Sequence, residues 1–124
     1  MLKKIYFTFL FLLSTFLVNS QVVINEYSAS NFESHLDNYG EYEDWVELYN
    51  TTNSDIDLNG WSLTDKPSNL SKWSFPGSFI ISANSVAIVY CSGLNELVGG
   101  VAHTNFKITQ TKAGEVFVLS DASG

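Results

Sequence analysis

DWVELYN (residues 44–50) carries Val46 and Leu48 on one parity and Trp45, Glu47 and Tyr49 on the other. Alternation of this kind, rich in valine and aromatics, is the period-2 pattern of a β-strand with one face turned to a core. The stretch before it, DNYGEYE (37–43), is acidic and carries Gly40. It reads as a charged loop that delivers Val46 and Leu48 to the interior. Working outward, similar runs recur between clusters of Asn, Gly, Ser and Asp: VVINEYSA (22–29), IDLNGWSL (56–63), KWSF (72–75), SFII (78–81), SVAIVYC (85–91), HTNFKI (103–108) and EVFVLS (115–120). Turn residues separate them at 51–55, Pro76-Gly77, 82–85, Gly99-Gly100 and 112–114. No stretch after the first twenty residues holds a 3.6-residue period. The pattern predicts two packed antiparallel sheets.

Two runs depart from simple alternation. In IDLNGWSL, Ile56 and Leu58 lie on even positions and Trp61 and Leu63 on odd ones. An extra residue at Asn59-Gly60 must switch the face, so a bulge or bend is expected at Gly60. SVAIVYC is apolar on both parities, which predicts a strand covered on both sides or set deep in the sandwich.

Met1 to Ser20 has Lys3 and Lys4, an apolar run from Ile5 to Val18, and small residues at its end. This is the pattern of a cleaved secretory signal peptide (1–20), too short in its apolar core to span a bilayer. A single domain (21–124) follows, with no membrane span after the signal is removed. It retains four lysines, no arginine and all thirteen acidic residues of a chain whose formal charge is −7. Such a surface repels phosphate backbones, which argues against nucleic-acid binding. Cys91 is the single cysteine, so no internal disulfide is possible, and its apolar surroundings mark it as a core residue rather than a nucleophile. Neither His35 nor His103 stands in a nucleophile motif.

Taken together, INEY (24–27), DWVELYN (44–50), DLNGWSLTD (57–65), KWSFP (72–76) with FIISANSVAIVY after it, and GEVFVLSD (114–121) resemble the lamin-tail domain. That family is the immunoglobulin-like module at the end of nuclear lamins, and it occurs also in secreted bacterial proteins, the type this chain resembles. The resemblance implies an immunoglobulin-like antiparallel β-sandwich with Val46, Leu48, Trp61, Leu63, Trp73, Phe75, Val86 and Ile88 in its core. It implies a binding or scaffolding module without catalytic residues. The nuclear roles do not carry over, because the chain has a leader and lacks a heptad rod. EVFVLSDASG ends on a turn sequence where the family has a further, closing strand, so the domain reads as cut just before that strand, leaving 115–120 as an open edge.

The acidic stretch offers hard oxygen donors for calcium at Asp37, Glu41, Glu43 and Asp44, without the spacing of an EF-hand loop. Against this, the same charges serve a solvated loop. Tyr39, Tyr42, Trp45 and Tyr49 are candidates for stacking on a carbohydrate or anchoring a protein partner at the cell surface. Glu26, Glu47 and Asp65 are the carboxylates that convergence would make a hydrolytic pair, though no spacing selects them. Asn50-Thr51-Thr52 and Asn69-Leu70-Ser71 are N-glycosylation sequons. The expected function is a non-catalytic adhesion, interaction or spacer module at the N-terminus of a larger secreted or surface protein. The alternatives are an accessory domain of a secreted hydrolase or nuclease and a weak calcium- or carbohydrate-binding module.

Overall fold

The computed structural model describes residues 20–109 and 116–124, which form strands and turns with no helix. The leader up to residue 19, the turn at 112–114 and Glu115 lie outside the described residues. The first sheet has five strands in the order β1-β2-β7-β9-β8: β1 (Val22–Ser28), β2 (Trp45–Asn50), β7 (Val86–Tyr90), β9 (Val101–His103) and β8 (Glu96–Val98). Opposite it lie a three-stranded sheet, β10 (Val118–Ser120), β4 (Ser62–Thr64) and β5 (Trp73–Ser74), and a pair made of β3 (Ile56–Asp57) and β6 (Ile80–Ile81). Their inner faces meet in one core containing Val46, Leu48 and Val89 from the first sheet and Leu63, Trp73 and Ile81 from the other two. This is the all-β architecture that the strand pattern predicts, and it is consistent with the immunoglobulin-like β-sandwich that the family resemblance implies. Burying a side chain such as Leu48 in this core stabilises the fold by about 1.5–3 kcal/mol.

Pairing sets which side chains share a face, because residues directly opposite one another in a ladder project the same way. Val46 faces Val89, and Leu48 faces Ala87, on the inner side; Trp45, Glu47 and Tyr49 face Tyr90, Ile88 and Val86 on the outer side. Val86 is therefore not a core residue but 51% exposed, and Ile88 is only half-buried. Apolar residues on both parities of β7 reflect an outer face that is covered at one end, at Tyr90, and open at the other. Trp61 packs partly buried against the core, whereas Val46, Leu48, Leu63, Trp73 and Phe75 lie fully within it.

Residues 56–63 are not one bulged strand. β3 and β4 belong to different sheets, joined by a turn in which the Trp61 amide donates to the Leu58 carbonyl at 2.9 Å. Gly60 provides the bend at φ +79°, a left-handed conformation that side chains resist. The face switch read from the parity is thus a change of sheet. The actual bulge lies in β1, between Ile24 and Glu26. Nor is 103–108 a strand: Thr104 turns the chain away, and β8 and β9 form a hairpin around Gly99-Gly100 instead. β9 runs parallel to β7, the one parallel pair among the described ladders. At the other end of the sandwich, β10 pairs with β4, and the Phe117 ring lies 5.0 Å from that of Tyr27.

Candidate functional site

Residues 29–44 cross the outer face of the first sheet as a strap. Beneath it lies a row of side chains supplied by four strands, Trp45, Tyr90, His103 and Glu96, which are successive partners in the ladders. The strap meets each in turn. Ser34 Oγ accepts from the Trp45 indole at 3.3 Å, while the His35 ring packs edge-on to it at 5.0 Å. The Leu36 carbonyl accepts the Tyr90 hydroxyl at 2.7 Å. Asn38 Oδ1 lies 2.7 Å from His103 Nε2, and the Tyr39 hydroxyl donates to Glu96 Oε1 at 2.5 Å.

His103 is the centre of this arrangement. It is fully buried, stacked against Tyr90 with centroids 5.5 Å apart, and covered by Tyr39 at 5.8 Å. An amide oxygen facing Nε2 places the ring proton there, so Nδ1 accepts from Ser92 Oγ at 2.9 Å. Ser92 Oγ in turn accepts the Leu94 amide. The serine and imidazole of an acyl-transfer enzyme need access to a carbonyl carbon, and here the two groups are sealed at 4% and 0% exposure. Sequence reasoning missed this network, since its members are separated by 11 and 65 residues and no local motif joins them. The hydrogen bond that the Tyr39 hydroxyl donates to Glu96 raises that phenol above its ordinary pKa; burial, and then the charge of Asp37, raise that of Tyr90.

The carboxylates of the strap are held apart and turned to structural work. Asp37 Oδ1 accepts the amides of Tyr39 and Glu41, at 2.8 and 2.9 Å, in a turn that Gly40 closes at φ +80°. Asp44 Oδ1 accepts the amides of Ser30 and Asn31, at 2.5 and 3.0 Å, which secures Ser30 at φ 77° despite its side chain. Glu43 lies 3.6 Å from Lys107, and Glu41 is exposed. Among the described residues no three His, Cys, Asp or Glu side chains converge as metal ligands would. Of the aromatic candidates, Tyr39 and Tyr42 stand exposed on the strap, Trp45 is buried beneath it, and Tyr49 lies on the uncovered part of the sheet. They do not form one surface.

Of the three remaining carboxylates, Glu26 and Glu47 are direct partners across β1 and β2. Asp65 is bonded to Lys72 at 2.6 Å, beyond β4 in another sheet. A cleft of about 460 Å³ lies between the end of β10 and the turn after β4. Its walls mix serines such as Ser62, Ser68 and Ser120 with the apolar Leu70 and Ala122. The one carboxyl lining it, Asp121, is turned onto its own turn, where the Ser123 hydroxyl and amide hold it below the usual carboxylate range.

Among curated proteins, none matches the chain at a significant level. The model of the Lamin Tail Domain matches residues 18–124, taking in every described strand from β1 to β10. With an all-β immunoglobulin-like sandwich beneath that match, the chain belongs to the lamin tail domain family.

Proposed function

We propose that the domain is a non-catalytic interaction module at the N-terminus of an exported protein, serving adhesion, partner binding or spacing, with the strap as its contact surface. One observation carries this reading. The strap is pinned to four strands, yet it turns Phe32, Leu36, Tyr39 and Tyr42 outward, at 76%, 52%, 54% and 47% exposure. Large apolar and aromatic side chains on a pre-ordered loop lose little entropy when a partner covers them. The polar groups of the strap that would do chemistry are engaged in holding its shape. The leader pattern at 1–20 supports export, and the resemblance to secreted members of the family supports a place at the cell surface.

The reading is tested by expressing the chain with its own leader and locating it by surface proteolysis and fractionation, beside a Phe32→Ser, Tyr42→Ser variant. Neither side chain packs in the core, so the variant should melt as the parent does. Retention of the parent on the cell exterior and release of the variant into the medium is the expected result. An intracellular product would sink the compartment, and identical behaviour of the two forms would sink the strap as contact surface.

A further inference from the structure

Past the strap, the outer face of the first sheet is uncovered among the described residues, and it carries two rows of side chains. One row is Val23, Tyr49 and Val86, apolar and half-buried to half-exposed; the next is Glu26, Glu47 and Ile88. Glu26 and Glu47 are directly opposed, an arrangement that costs a sheet stability. Asn25 gives Glu47 one amide hydrogen bond at 2.7 Å. The two ion pairs among the described residues, Lys72 with Asp65 and Lys107 with Glu43, reach neither glutamate. Two negative charges with no cation partner among the described residues thus stand beside an apolar row on an open face.

We propose that this face docks an extended protein segment that presents an aliphatic and a cationic side chain, lysine or arginine, two residues apart. The spacing follows from strand geometry. Along β2 and β7 the two rows are two residues apart, about 6.7 Å, the bulge in β1 bringing Glu26 into register three residues after Val23, and same-face residues of an extended partner repeat at the same distance. A partner strand aligned with β2 therefore sets its aliphatic side chain on Tyr49 and Val86 while its cation lies between Glu26 and Glu47. The cation relieves the repulsion that the isolated domain bears, so charge selects the partner and the apolar row adds contact area. This surface is distinct from the crest of the strap, and the inference stands whether or not the strap makes contacts.

The test measures binding of the chain to a synthetic peptide repeating Thr-Val-Thr-Lys, with Thr-Ser-Thr-Lys and Thr-Val-Thr-Glu repeats as controls. A Glu26→Gln, Glu47→Gln variant and a Val86→Ser variant are compared with the parent. The expected outcome is binding of the first peptide alone, weakened about tenfold or more in both variants. Without peptide, the double glutamine variant should melt a few degrees higher than the parent. Equal binding of the serine-lysine repeat would reduce the effect to bulk charge and overturn the proposal. So would unchanged affinity in either variant, no binding of the valine-lysine repeat, or a lowered melting temperature for the double variant.

Discussion

Asp57 shows how much one exposed side chain can organise. Its Oδ1 accepts the amides of Asn59 and Phe79, at 3.0 and 2.9 Å, and its Oδ2 accepts the Ser78 hydroxyl at 2.8 Å, so one carboxylate ties β3 to the approach to β6. The Ser78 hydroxyl, then the Asn59 amide, hold its pKa below the ordinary carboxylate value. A depressed folded-state pKa contributes stability that is present above the unfolded pKa and is lost as pH falls through the folded one. The parent should therefore melt above an Asp57→Asn variant at neutral pH, with the gap closing from about pH 4 downward. A gap in melting temperature independent of pH would show that the charge plays no part. Asn50 marks the limit of reading single residues from sequence. Its triplet is a sequon, yet the side chain is fully buried, donating to the Ser54, Ile81 and Ser82 carbonyls and accepting from Thr52. Glycosylation needs an exposed asparagine, a condition that Asn69 meets and Asn50 does not. Nothing within the triplet distinguishes the two, because the carbonyls that engage Asn50 come from residues 31 and 32 positions away as well as from its own turn.

At the scale of elements, the strap depends on its central pin. Replacing His103 by leucine keeps the bulk but leaves Asn38 and Ser92 without their ring partners, a loss of about 1–3 kcal/mol. The expected consequence is local: faster exchange of the Asp37 and Glu41 amides and new protease cleavage within residues 36–43, while the Val46 and Leu48 amides stay protected. Unchanged protection of the strap would mean that Tyr39, Tyr90 and Trp45 suffice. Legibility also varied by element. β1, β2 and β7 announce themselves because each is long enough for its pattern to be counted, and Val46 and Leu48 fall where the alternation puts them. β3, β4, β5 and β6 are two or three residues each, too short for parity to say which sheet they join. The hairpin of β8 and β9 hides for another reason: Glu96 and His103 carry polar groups where a strand signal needs apolar ones, since they serve the row under the strap.

For the whole molecule, the dispersal of Asp37, Glu43 and Asp44 onto separate partners predicts the response to calcium. A site saturated at 100 times its dissociation constant would add about 2.7 kcal/mol, many degrees in a domain of this size. We expect thermal unfolding in millimolar calcium and in chelator to agree within the small effect of charge screening; a shift abolished by Asp37→Asn, Glu41→Gln would reverse that view. The sandwich itself was legible, because composition, alternation and turn residues all favour paired sheets. The strap was not, because its partners come together only through the order of strands. That separation sets a sequence in time. Asn38 and Tyr39 reach His103 and Glu96 across 65 and 57 residues, so the strap has nothing to dock on until the last hairpin of the first sheet has formed. Contacts of such long closure form late and are weakly developed at the folding barrier. Loosening the strap should therefore leave the refolding rate nearly unchanged and accelerate unfolding, making these few side-chain pins a governor of the native state's lifetime.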